Sequence, residues 1–109
     1  MSWDQQEAPM PFEEPSPRLF TAAAMREYAP SKSGVYGIST ARRWLYIGET
    51  DNIQETLLEH LKDLHRVDAL KKPTGFAFEV CALADRPERQ NRLVMEYEPA
   101  INRGGTWPQ

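Results

Sequence analysis

Ile53, Leu57, Leu61 and Leu64 recur at three- to four-residue intervals, one apolar stripe on a helix predicted from about Asp51 to His65. On the opposite side Asp51, Glu55, Glu59 and Asp63 form an acidic row, whose plain reading is a solvated face. Upstream, Thr21 to Tyr28 reads as a short helix that Thr21 can cap, the alanines favour and Pro30 stops. Two β-rich runs follow, Gly34 to Ser39 and Trp44 to Gly48, joined by Thr40, Ala41, Arg42 and Arg43, a link short enough for a hairpin loop. Lys71 to Gly75 has loop composition, and Phe76, Phe78 and Val80 then alternate with Ala77, Glu79 and Cys81 as a third strand. A last helix is predicted to start at Asp85, with Pro87 in its first turn and Glu88 placed as in a capping box. Leu93, Val94 and Tyr97 give it an apolar face, and Pro99 ends it. The order helix, hairpin, helix, strand, helix closes most simply as a mixed α/β domain with helices over a small sheet.

Residues 1–17 break this pattern. Pro9, Pro11, Pro15 and Pro17 stand among acids and Gln, so the segment is expected to be a disordered, acidic tail. Its apolar Trp3, Met10 and Phe12 could dock on a partner or on the domain itself. Residues 18–103 then form a single domain and 104–109 a C-terminal tail. At 109 residues the chain fits one core. No apolar run is long enough to cross a membrane, and the N-terminus lacks the pattern of a secretory signal. The single Cys81 excludes an intramolecular disulfide and agrees with a reducing, cytoplasmic setting.

The net charge is −3. Four of the 16 acids (Asp4, Glu7, Glu13, Glu14) lie in the first 16 residues, which hold no base. The remaining 12 acids face all 13 bases, so the rest of the chain sits near +1. That is far less basic than a dedicated duplex-DNA binder.

The two hairpin strands contain Gly34-Val35-Tyr36 and Tyr46-Ile47-Gly48, followed by the turn Glu49-Thr50-Asp51-Asn52, a helix with His60 near its middle, and Pro99-Ala100-Ile101-Asn102. In this order, over residues 33–102, the chain resembles the GIY-YIG nuclease family. The resemblance implies an α/β fold with a small three-stranded antiparallel sheet flanked by helices. It also implies a site that would comprise Tyr36, Tyr46, Thr56, His60, Gln90 and Asn102. Two of these depart from the family pattern. Thr56 stands where the family has an Arg that faces the scissile phosphate, and Gln90 where it has a Glu that holds the divalent metal. A hydroxyl cannot neutralise a phosphate as a guanidinium does, and Mg²⁺ prefers anionic oxygen. Loss of one such electrostatic group costs about 10²–10³ in rate. The site is therefore read as vestigial, with no metal and no cofactor expected.

Structural readings stand beside these. Tyr36 and Tyr46 suit a core with satisfied hydroxyls, His60 a locally bonded helix residue, and Asn102 a closing turn. His65 and Cys81 carry no assigned role.

The function expected is a catalytically impaired, GIY-YIG-like module that binds DNA or RNA through Arg42, Arg43, Lys71, Lys72, Arg89 and Arg92. One alternative is a protein-interaction or regulatory domain that engages a partner through its N-terminal tail. The other is a divalent-metal-dependent endonuclease with relocated catalytic residues, the one reading that would require Mg²⁺.

Overall fold

Burial follows the apolar stripe of the second predicted helix. In the computed structural model, which describes residues 12, 17–63 and 73–100, Ile53 and Leu57 are fully buried and Glu55 and Glu59 are exposed. The elements run β1 (Arg18–Leu19), α1 (Ala22–Tyr28), β2 (Gly34–Ser39), β3 (Trp44–Thr50), α2 (Ile53–Asp63), β4 (Gly75–Val80), a 3₁₀ turn (Leu83–Asp85) and α3 (Arg86–Tyr97). The sheet has four strands in the order β1-β4-β2-β3, and every neighbouring pair is antiparallel. The sequence predicts three. The fourth is the two-residue β1, which pairs Arg18 with Phe76 and Leu19 with Gly75, and is too short to show an alternating pattern.

Helices cover both faces of the sheet. On one face, α1 and α2 bury Met25, Ala29, Ile53 and Leu57 against Tyr36, Ile38, Leu45 and Phe76. On the other, Leu93 of α3 packs on Val35, Ile47 and Ala77. Phe12 joins this second cluster at 1% exposure. Its ring centroid lies 5.4 Å from Trp44 and 5.8 Å from Tyr97, and its N–H donates to the Tyr97 hydroxyl at 3.2 Å. Of the two docking surfaces open to this residue, its own domain is the one used. Gly37 makes room for it, because a Cβ there would lie 2.7 Å from a Trp44 ring carbon and 2.9 Å from Phe12.

The helix ends depart from expectation in instructive ways. Thr21 caps α1 as predicted, accepting from Ala24 N–H at 3.1 Å. Helix α2 begins at Ile53 rather than Asp51, because Asn52 is its cap: Asn52 Oδ1 accepts from Glu55 N–H at 2.9 Å. The Ile53 and Gln54 N–H groups donate to the carbonyls of Lys32 and Pro30, and that of Thr56 to Asn52. Every first-turn donor of α2 is thus occupied. Asp85 does not cap α3. It ends a 3₁₀ turn in helical geometry, with no side-chain bond to the helix, so the expected capping box is absent, although Pro87 does lie in the first turn. The helix closes at Glu98 in the left-handed region (φ 48°), and its N–H returns to Val94 O at 2.8 Å.

Candidate functional site

The tyrosines of the two tripeptides lie on adjacent strands and on the face covered by α2. Alternation puts Tyr36 on that side, the register pairs it with Gly48, and Tyr46 sits opposite Ile38. Gly48 has no room for a side chain, since a Cβ would lie 2.8 Å from the Tyr36 hydroxyl and 2.9 Å from the Tyr46 ring. Close approach of these two rings explains the glycine that ends the second tripeptide. Helix α2 brings His60 onto the pair: His60 Nε2 and the Tyr36 hydroxyl are 2.9 Å apart, and the His60 ring lies 5.5 Å from Tyr36 and 5.8 Å from Tyr46. Burial above all, then the Tyr46 phenol and the Glu59 carboxylate, pushes the Tyr36 hydroxyl well above the ordinary tyrosine range. Tyr36 is therefore a neutral phenol at physiological pH, able to share one hydrogen bond and poor at releasing its proton.

Thr56 lies one turn nearer the start of α2. Its hydroxyl is 2.6 Å from that of Thr50, which also accepts from Asn52 N–H at 3.0 Å. Across the edge strand β3, Gln90 of α3 donates Nε2 to the carbonyl oxygen of Ile47 at 3.1 Å. Thr56 and Gln90 are thus both neutral and both bonded within the domain. One turn before Gln90, Arg86 places Nη1 2.7 Å from Asp51 Oδ1 and Nε 3.4 Å from Glu49 Oε1. Asp51, read from the sequence as the start of the acidic row, is therefore paired from α3.

The fold that carries these residues is shared with solved structures. One is the N-terminal endonuclease domain of UvrC from Thermotoga maritima, bound to its catalytic magnesium. It aligns with a TM-score of 0.55 at 20% identity, covering 72% of this chain and 94% of that domain. The chain has a GIY-YIG-like fold. A point variant of the same UvrC domain, bound to its catalytic divalent cation, aligns at a TM-score of 0.55 and 19% identity over 70% of this chain and 91% of that one. No family model and no curated protein matches the sequence.

Within this GIY-YIG-like frame the structure brings Tyr36, Tyr46 and His60 into one cluster, with Thr56 bonded to Thr50 beside the start of α2 and Gln90 on the β3 edge. Asn102, Lys71 and Lys72 lie outside the described residues. Arg42 and Arg43 are exposed in the β2–β3 loop, whose turn is held by Thr40: its hydroxyl accepts from both arginine N–H groups at 3.1 Å. Arg92 is half-buried on α3. Arg89 has a different use from the one the sequence suggests. Its guanidinium forks onto both oxygens of Glu79 at 2.8 Å, and this pairing holds its pKa above the ordinary arginine value. From the sequence, Arg86 reads only as one of three bases on the last helix, and Glu49 and Thr50 only as part of the turn, without the contacts that join them. Their only signal was position, Glu49 and Thr50 directly after Gly48 and Arg86 one turn from Gln90.

Among the described residues no helix is long and apolar enough to cross a membrane, and no three His, Cys, Asp or Glu side chains are grouped to hold a metal ion.

Proposed function

We propose that this domain is a catalytically impaired nuclease-like module that binds nucleic acid without cutting it. The observation that carries the reading is the pair of internal bonds at the two altered positions. Thr56 is tied to Thr50, and Gln90 spends its amide on the Ile47 carbonyl. At Thr56 and Gln90 a divalent ion of the kind held by the UvrC domain would meet a hydroxyl and an amide, neither an anionic oxygen, and the nearby Glu49 and Asp51 carboxylates are paired with Arg86. Neither Thr56 nor Gln90 then supplies or holds the positive charge that would neutralise a cleaving phosphodiester from its own position.

Binding is assigned chiefly to Arg42 and Arg43, exposed at one end of the sheet, with Arg92 on α3 and Lys71 and Lys72 as further contacts. Arg89 is set aside, because its guanidinium is committed to Glu79. The domain is read as cytoplasmic, in keeping with the single cysteine.

Fluorescence anisotropy with labelled branched DNA, single-stranded DNA and RNA, in Mg²⁺ at about 50 and 200 mM salt, tests this. Expected are dissociation constants that rise steeply with salt, weakening on Arg42→Ala/Arg43→Ala, and intact strands on a gel. Binding absent at the lower salt removes the reading, and EDTA-sensitive cleavage removes the impairment. The exposed acids Asp51, Glu55 and Glu59 favour a second reading, a protein-interaction domain. Co-purification of a defined partner, lost on deletion of residues 1–11, which spares the buried Phe12, would identify it.

A further inference from the structure

Arg86 is the first residue of α3 and lies four residues before Gln90, so both side chains leave the helix on the face that runs along β3. Its guanidinium is buried, with 11% of the side chain exposed, yet it is only partly engaged. Nη1 donates to Asp51 at 2.7 Å. Nε is buried, touches Glu49 at 3.4 Å, and has no hydrogen-bond acceptor among the described residues. A buried guanidinium donor without an acceptor is costly unless something else supplies one. The group that occupies Nη1 is itself replaceable, since the Asp51 carboxylate is 87% exposed and gives up little when it returns to water. A guanidinium accepts phosphate oxygens in the same planar geometry as carboxylate oxygens. Glu49 and Asp51 bracket Thr50, which bonds Thr56, so this guanidinium stands on the rim of the turn that leads from β3 into α2.

We propose that Arg86 binds a phosphodiester group at this rim, and that Asp51 is an internal carboxylate occupying the same place until nucleic acid displaces it. The proposal rests on the nucleic-acid reading above and deepens it. The site's cation would arrive from α3, in place of the guanidinium that Thr56 does not provide on α2. Nε would keep its 3.4 Å approach to Glu49, and the ligand would enter on the Nη1 side that Asp51 occupies.

The test uses the full chain and labelled single-stranded DNA, comparing wild type with Asp51→Asn, Arg86→Lys, Arg86→Ala and Arg42→Ala/Arg43→Ala. Asp51→Asn removes the competitor and keeps the shape, so it should bind severalfold more tightly. Arg86→Ala should bind about tenfold more weakly and lower the salt slope by about one unit. Arg86→Lys keeps the charge without the fork and should fall between. It also serves if the alanine variant does not fold. Should Arg86 merely tie α3 to the turn, Asp51→Asn lowers the melting temperature and leaves affinity unchanged, which overturns the proposal. Weakening by the Arg42/Arg43 variant alone would leave the nucleic-acid reading standing and this inference refuted. If the wild type binds no DNA, titration with inorganic phosphate while following the Arg86 Nε–H resonance decides the matter. A saturable shift keeps Arg86 as an oxyanion site and discards the nucleic-acid reading, whereas no shift removes both.

Discussion

Gln90 donates its side-chain N–H to the main-chain carbonyl of Ile47, so the residue in the expected metal-ligand position ties α3 to the edge strand β3. This bond uses the donor half of an amide, which a carboxylate lacks. Gln90→Glu would therefore set an anion against a carbonyl oxygen. The expected cost is about 1–3 kcal/mol, seen as a lower melting temperature at neutral pH, and no Mg²⁺-dependent cleavage appears on a gel. A variant as stable as wild type would show that the bond contributes nothing.

The buried Tyr36 phenol gives the domain an alkaline limit. Its pKa is raised in the folded state, so above about pH 10 the unfolded chain releases this proton while the folded one keeps it. The stabilisation is complete below the ordinary tyrosine pKa and declines as pH climbs through and beyond it. Tyr36→Phe should lose about 1 kcal/mol at pH 7 through the missing His60 bond. It should also lose less stability than wild type between pH 8 and 10.5, measured by urea unfolding. Parallel losses in the two proteins would contradict the burial argument.

Phe12 tests how far the folded unit extends. Phe12→Ala removes a fully buried ring from between Trp44 and Tyr97 and should cost about 3–5 kcal/mol. For a residue in a solvated tail the effect would be within about 0.5 kcal/mol, so calorimetry separates the two cases without ambiguity.

Gly37→Ala presses a methyl group against Trp44 and Phe12 and should destabilise by about 1–3 kcal/mol. In the Phe12→Ala background the same change should cost less, because one of the two obstructing rings is gone. Strict additivity in that double-mutant cycle would mean that Trp44 alone sets the space.

Regular structure with a strong local signal was legible in the sequence. The Ile53 and Leu57 stripe, the Thr21 cap and the Val35–Ile47 hairpin depend on neighbours a few residues away, and each lies where its pattern puts it. What was not legible depends on partners far along the chain. Strand β1 exists only because β4 offers an edge to Arg18 and Leu19. Asp85 has the residue type of a cap, but the preceding 3₁₀ turn already holds it in helical geometry. Arg89 looks like any exposed base until Glu79, ten residues earlier, comes to face it. The site divides in the same way. Tyr36, Tyr46 and His60 follow from the motif, whereas the Arg86–Asp51 pair spans 35 residues and no spacing announces it.

The Phe12–Tyr97 hydrogen bond joins residues 85 positions apart. Such a contact can form only after the hairpin and α3 have met, because both supply walls of its slot. Closing so long a span early would cost chain entropy with no neighbouring contacts to offset it. The aromatic clasp is therefore expected to assemble late and to open early. Local opening there would bare Trp44, Tyr97 and the α3 face of the sheet while the α1–α2 side stays packed. Amide exchange should accordingly divide the molecule in two, with α3 and the Phe12 segment exchanging through a smaller opening than β2 and α2.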